Sequence, residues 1–366
     1  MRAAPLKTAL LRSFPPPAFM RMRGVGIEVT DRSIKYLVFD DLREGLRVNT
    51  WGTIDLADGA IVKGAIEDPQ AVTKALSDIR AKTGMPFAYV SLPEERAYLF
   101  ITTIPKSAST SEARTAIELT LKENVPLSPT EAVFDFVPLE AGEGSQTHVA
   151  VSVYPEAIVE QYVAVVREAG FTPIAFEIEG AAAARAIAQS EAKEAAMVVD
   201  LGRAGSGVSI VNAGTLVFTS TLEVSGDDIT RALSRGLNIS YAEAETLKAK
   251  HGFVKNAENE AAFNAMVGIV SALRDEVMKH FAYWQVHSAK EYSFAQPIGQ
   301  IVLVGGNANI KGFREYLAAQ SPVPVTFGNV WGNVASFEEY VPPIHRIESY
   351  RYATAIGLAL RGVGRP

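Results

Sequence analysis

Residues 24–39, Gly24-Val25-Gly26-Ile27-Glu28-Val29-Thr30-Asp31-Arg32-Ser33-Ile34-Lys35-Tyr36-Leu37-Val38-Phe39, run apolar, break at Thr30-Asp31-Arg32-Ser33, and turn apolar again. β-branched and aromatic residues on both sides of a polar break read as strand, turn, strand. An acid, Glu28, sits between Ile27 and Val29 just ahead of the turn. The arrangement returns at residues 197–211, where Asp200 lies between Val199 and Leu201 and a glycine-rich turn follows. Thr215–Thr221 then supplies a third strand. Two halves that each open on an acid-bearing hairpin predict a duplicated α/β fold around a cleft. The competing reading is a chance likeness between two hairpins.

Outward from these hairpins the chain alternates strands and helices. Strands are expected over 48–56, 87–92, 97–104, 132–137, 147–153, 172–178 and 300–304. Asp68-Pro69 reads as an N-cap followed by proline at the first helical position, with Val72, Leu76 and Ile79 at helical spacing and Gly84 as the stop. Further helices are expected over 111–123, 155–169, 227–236, 240–251, 263–287 and 350–361, with another beginning near Lys311. In the long one Phe263, Met266, Val270, Leu273, Val277, Phe281 and Trp284 form one apolar stripe. A loose turn is expected at Gly142-Glu143-Gly144-Ser145.

Composition narrows the function classes. The chain has 366 residues, 48% hydrophobic and 21% charged, enough for two or three compact units. It has no cysteine, so disulfides and cysteine-built zinc sites are excluded. A net charge of −6 argues against nucleic acid as a partner. No run of about 18 apolar residues exists to span a bilayer as a helix. Arg2, Lys7, Arg12, Arg21 and Arg23 are unbalanced by any acid in residues 1–23. That stretch reads as a flexible basic tail, or as a weak attachment to acidic lipid worth about 1 kcal/mol per basic residue. Its apolar run, Thr8-Ala9-Leu10-Leu11, is too short for a signal peptide.

Three constellations could carry chemistry. Glu28 and Asp200 each stand beside a turn whose free backbone N–H groups make a concave anion site, while a carboxylate there can hold magnesium through water. Facing each other, the two hairpins would grip a nucleoside triphosphate and its metal; singly, each acid also reads as a turn cap. Glu245 and Lys248 share a helix face, either as a surface ion pair or as contacts to ribose and base. Gly305-Gly306 follows an apolar strand and lets a flat group approach the backbone, or simply makes a tight turn. His148, His251, His280, His287 and His345 show no metal spacing.

In this order, acid hairpin, second acid hairpin, Ala244-Glu245-Thr246-Leu247-Lys248 and Gly305-Gly306, the chain resembles the actin-like ATPase superfamily of actin, Hsp70, sugar kinases and FtsA. More narrowly it resembles the PilM family of type IV pilus assembly. That likeness is carried by Ala116-Ile-Glu-Leu-Thr-Leu-Lys-Glu-Asn-Val-Pro-Leu-Ser128, by Ser225-Gly-Asp-Asp-Ile-Thr230 and by Tyr352-Ala-Thr-Ala-Ile-Gly-Leu-Ala-Leu-Arg361. Two positions depart from the family pattern: Glu28-Val29-Thr30 stands where Asp-Ile-Gly is usual, and Ser225 replaces a glycine.

The resemblance implies an actin-like (ribonuclease H-like) duplicated two-domain α/β fold with an inserted small α+β subdomain. The expected divisions are 24–93 with 172–190 for the first domain (1A) and 94–171 for the insertion (1C). The second domain (2A) takes 191–235 with 295–366, and a helical subdomain (2B) takes 236–294. It implies ATP and Mg2+ as cofactors, with Asp200 and Glu28 on the metal. Ser33, Lys35, Gly202, Arg203 and Ser206 would hold phosphates, and Glu245, Lys248, Gly305 and Gly306 would surround the nucleoside. No catalytic residue is assigned, and hydrolysis is expected to be slow or absent. The implied partner is the N-terminal cytoplasmic peptide of PilN, along with other pilus inner-membrane components and a homo-oligomer. The implied place is the cytoplasmic face of the inner membrane, with peripheral membrane contact only. An FtsA-like filament protein is the alternative, although a C-terminal amphipathic helix is not expected in Arg361-Gly-Val-Gly-Arg-Pro366. A small-molecule kinase would need a carboxylate base; Glu177 and Glu179 are the candidates, and both read as strand-end charges.

Overall fold

The computed structural model describes residues 22–42, 45–139, 145–187, 194–292 and 294–364. The basic run up to Arg21 and the turn at 142–144 lie outside them. Arg23 does lie within, and its guanidinium reaches Asp41 at 3.5 Å, so this one member of the basic run has an acidic partner.

In the first lobe β1 (Gly24–Val29), β2 (Ser33–Leu42) and β3 (Gly45–Asp55) form an antiparallel meander. After a two-strand ladder of β4 (Ile61–Val62) and β5 (Ala65–Ile66) comes α1 (Pro69–Thr83). Asp68 caps that helix by accepting from the Ala71 N–H at 3.0 Å, Pro69 opens it, and Gly84 closes it in the left-handed conformation. The chain returns as β6 (Phe87–Leu92), parallel to β1.

The insertion follows: β7 (Tyr98–Pro105), α2 (Thr110–Asn124), β8 (Ala132–Pro138) and β9 (Gln146–Pro155), a three-stranded sheet in the order β7-β9-β8. A reciprocal Ser109–Glu112 capping box starts α2. Ile117 and Leu121 of α2 pack on Val149, Val151 and Val153, while Leu139 and Ala150 join the core of the second lobe. Next, α3 (Glu156–Glu168) places Tyr162, Val165 and Val166 in one core with Val72 and Leu76 of α1. α3, within the segment 94–171, thus packs against the first lobe. β10 (Thr172–Ile178), parallel to β6, completes a sheet ordered β10-β6-β1-β2-β3.

α4 (Glu179–Ile187) follows directly, an element that sequence reading passes over. The second lobe then repeats the first. β11 (Ala195–Leu201), β12 (Ser206–Asn212) and β13 (Thr215–Leu222) form an antiparallel meander. Helices α5 (Gly226–Leu237), α6 (Tyr241–His251) and α7 (Glu260–Glu291) intervene before β14 (Ile298–Val304), which is parallel to β11. α8 (Phe313–Ala318) leads to β15 (Val325–Phe327), parallel to β14. The order β13-β12-β11-β14-β15 matches the first sheet strand for strand, so the duplication expected from the two acid hairpins extends to both five-stranded sheets.

The lobes interlock through their last helices. α9 (Arg346–Ser349) and a 3₁₀ turn lead into α10 (Ala353–Gly362), which packs on β1 of the first lobe, while α4 packs on β12 and β13 of the second. α4 and α10 cross where Gly357 is bare: a Cβ there would come within 1.7 Å of the Ala182 carbonyl oxygen. The alanines of α4 serve that same close approach, with Ala182, Ala183, Ala184 and Ala186 all buried. Among the described residues no helix is long and apolar enough to cross a membrane.

Candidate functional site

A cleft of about 1310 Å³ opens between the lobes. Glu28, Ser33 and Lys35 line it from the first lobe, and Asp200, Gly202, Arg203, Ser206, Glu245, Lys248, Gly305 and Gly306 from the second. The residues that the resemblance assigns to nucleotide and metal thus line one space.

On the first wall Glu28 and Lys35 stand opposite each other in the β1–β2 ladder, and Lys35 Nζ donates to Glu28 Oε1 at 2.7 Å. Glu28 Oε2 is buried and has no hydrogen-bond partner. Thr30, where the resemblance leads one to expect glycine, keeps a negative φ, for the positive-φ non-glycine residues among those described are Lys63, Ala213 and Asn238. Its hydroxyl instead donates to the Ser33 carbonyl at 2.9 Å, so the side chain ties the turn.

On the second wall Asp200 pairs in register with Gly207 and Val304. The turn after β11 is held from three sides. Gly226 N–H donates to the Gly202 carbonyl at 3.1 Å and Asp227 N–H to the Arg203 carbonyl at 2.8 Å. Asn307 adds its side-chain amide to the Gly202 carbonyl at 2.9 Å. Gly305 takes φ +89°, and a Cβ there would sit 2.3 Å from Asp200 Oδ1, so only glycine lets β14 end beside that carboxylate. At Gly306 the nearest atom to a built Cβ is Arg351 Cβ at 3.8 Å, which leaves that face open. The Ser206 hydroxyl is buried without a partner, a donor with no use inside the protein.

The cleft gathers more carboxyl groups than the sequence suggests. Desolvation, then the Glu28 charge, push Asp200 up to about 6 from an ordinary 3.8, with Lys35 opposing. Glu94, in a 3₁₀ turn directly after β6, is raised well above the carboxylate range by desolvation and then by Asp200 and Glu95. Glu179 is raised in the same way by desolvation, then Glu95 and Glu28, and Glu95 is raised chiefly by desolvation. Glu94, Glu95 and Glu179 all line the cleft. Glu179 is therefore no strand-end charge: it is the first residue of α4 and faces the site. Glu177 is a different case, gripped by Arg185 at 2.6 and 2.7 Å and by Arg361 at 3.3 Å. The signal that could have revealed Glu94 and Glu95 is their place at the end of the strand parallel to β1.

Lys248 lines the cleft but is held from inside the protein. Its side chain is 5% exposed, so it is no surface partner of Glu245, although the two lie 3.0 Å apart. Its ammonium donates to the Gly226 carbonyl at 3.1 Å, Thr230 Oγ1 at 2.7 Å and Asn307 Oδ1 at 3.0 Å. These contacts, with Glu245 Oε2 at 3.0 Å, engage the ammonium's protons inside the protein. Lys248 is a strut that fixes α5, α6 and the Asn307 turn. Glu245 accepts from Thr230 Oγ1 at 2.6 Å and keeps half its side chain open to the cleft. Among the described residues no group of three or more His, Asp or Glu is arranged to hold a metal directly.

Comparison with known proteins agrees with this architecture. The family model described as "Type IV pilus assembly protein PilM" matches residues 26–363. The solved structure of a "PilM-PilN type IV pilus biogenesis complex" superposes with a TM-score of 0.78 at 21% identity, covering 94% of this chain and 99% of that one. The ethanolamine utilization protein EutJ from Carboxydothermus hydrogenoformans gives 0.55 at 17% identity over 95% and 90% of the two chains. MreB5 of Spiroplasma citri, solved bound to ADP, gives 0.51 at 13% over 92% and 95%. These likenesses establish an actin-like fold. Cell division protein FtsA of Staphylococcus epidermidis is 26% identical over 141 residues, which is 35% of this chain and only 30% of that relative.

Proposed function

This chain belongs to the type IV pilus assembly protein PilM family, and from that premise we propose that it is a nucleotide-binding actin-like scaffold of the pilus machinery. The observation that carries the reading is the family match itself, which runs through both lobes and the insertion from 26 to 363. In this reading its partner is the N-terminal cytoplasmic peptide of PilN, the protein named with PilM in the solved complex. Other inner-membrane pilus components would assemble around it, at the cytoplasmic face of the inner membrane.

The ligand of the cleft is ATP. Unused hydrogen-bonding capacity supports this: the Ser206 hydroxyl is a spare donor, and Arg203 is more than half exposed. Together with Ser33, Lys35 and the backbone at Gly202, they would hold the phosphates. Glu245, Lys248, Gly305 and Gly306 would surround the nucleoside, the Lys248 stem lying along the base while its ammonium stays bound inside the protein. Mg2+ would be held through its waters by Asp200 and Glu28, whose free Oε2 is an acceptor looking for a donor. Hydrolysis is slow or absent in this reading.

Calorimetric titration of Mg·ATP into wild type and Asp200→Ala tests the cleft, and equal affinities would reject its assignment. Capture on an immobilised PilN N-terminal peptide tests the partner, and failure at low salt would reject it. The 141-residue likeness to FtsA supports a second reading, a filament protein. Sedimentation with ATP separates the two, since only a filament pellets.

A further inference from the structure

Asp227 lies in the first turn of α5 and is 3% exposed. Three guanidinium groups converge on it: Arg203 Nε at 3.3 Å, Arg32 Nη2 at 3.5 Å and Arg231 Nη2 at 3.8 Å. The Tyr241 hydroxyl donates to the same carboxylate. Arg203 and Arg231 belong to the second lobe, but Arg32 is at the tip of the β1–β2 turn of the first, so its bond to Asp227 crosses the cleft. Arg32 and Arg203 also line the cleft, whereas Arg231 does not. Arg32 holds a second partner on its own lobe, Asp58.

A guanidinium fork suits carboxylate and phosphate oxygens alike. We propose that Asp227 is a built-in competitor for the triphosphate: carboxylate and ligand draw on the same Arg32 and Arg203, and the exchange couples occupancy of the cleft to the tie between the lobes. A ligand moves a conformational equilibrium only through contacts that differ between its states, and trading a cross-cleft ion pair for a phosphate contact is such a difference. The proposal rests on the nucleotide reading above and names how that same site is regulated.

Competition makes the two ends of one ion pair behave oppositely. Removing the guanidinium with Arg32→Gln weakens binding. Removing the competitor with Asp227→Asn frees both arginines and tightens it. Arg231→Gln, 44% exposed and outside the cleft, leaves Asp227 fewer cations, so that it holds Arg32 and Arg203 harder and nucleotide binds less well. The probe is N-methylanthraniloyl-ATP with Mg2+, titrated by fluorescence into the full chain. Each affinity should change by about 5-fold, the lower end of measured couplings between sites. Equal or weaker binding by a folded Asp227→Asn protein overturns the proposal. Should that variant fail to fold, Arg231→Gln decides, and unchanged affinity there overturns it. Wild type that binds no probe rejects the nucleotide reading and this one together; wild type that binds, with the wrong sign in the variants, rejects this one alone.

Discussion

Gly305 and Asp200 cannot both be kept if the glycine gains a side chain: its Cβ would fall 2.3 Å from Asp200 Oδ1 and 2.6 Å from the Leu201 carbonyl oxygen, at a backbone φ of +89°. Left-handed backbone alone costs a non-glycine residue about 1–3 kcal/mol, and the clash adds to it. Gly305→Ala should therefore destabilise by about 3 kcal/mol or more. Gly306→Ala, whose face is open, should stay within about 0.5 kcal/mol of wild type. Urea unfolding of both proteins checks this, and a tolerated Gly305→Ala would contradict the geometry.

Asp200 gives a pH prediction with a definite sign. Its carboxyl titrates at about 6 in the folded protein against an ordinary 3.8, so the native state binds its proton more tightly than the unfolded chain does. The stability that protonation contributes is fully present below 3.8 and is lost as pH rises through about 6. At neutral pH the ionised group therefore costs about 2–3 kcal/mol. Asp200→Asn should raise the thermal midpoint at pH 7.5, and the gain should vanish by about pH 4. The same substitution should weaken Mg·ATP. A thermal scan across pH gives the first, calorimetry the second.

How far the sequence leads can be judged from Glu28, Asp200 and Glu179. The first two were legible because strand alternation is local: an acid between two apolar residues before a polar turn declares its position without any partner. Glu179 was not, since Glu179-Gly-Ala-Ala-Ala-Ala-Arg185 has too little apolar bulk to show a helical stripe. Its alanines are small because α10 crosses α4 at close range, a tertiary requirement with no local trace. Glu94 and Glu95 likewise gain meaning only when β6 falls beside β1. The burial of Lys248 is hidden for another reason. Spacing put Lys248 and Glu245 on one face, but not which neighbours would bury that face; Thr230 and Asn307 come from elsewhere in the chain.

Lys248→Met follows from that burial. The change leaves the Gly226 carbonyl, Thr230 Oγ1 and Asn307 Oδ1 without their shared donor. Losing these charge-assisted bonds in the interior should cost about 2–3 kcal/mol. Glu245→Gln, at a half-exposed position, should cost less than about 1 kcal/mol. Denaturant midpoints compare them directly. A Lys248→Met protein as stable as wild type would contradict the strut role.

Ser206 separates stability from binding most cleanly. Its hydroxyl is buried with no partner, so the folded protein bears that group's desolvation with no bond in return. Ser206→Ala should leave stability unchanged or raise it by about 1 kcal/mol. If the hydroxyl donates to a phosphate oxygen, a charge-assisted bond is lost, and ATP affinity should fall about tenfold. The two readouts then move in opposite directions, which no general loosening of the β11–β12 hairpin can produce. Differential scanning fluorimetry and calorimetric titration on one preparation measure both, and a protein that is more stable yet binds ATP as wild type does would remove Ser206 from the phosphate site.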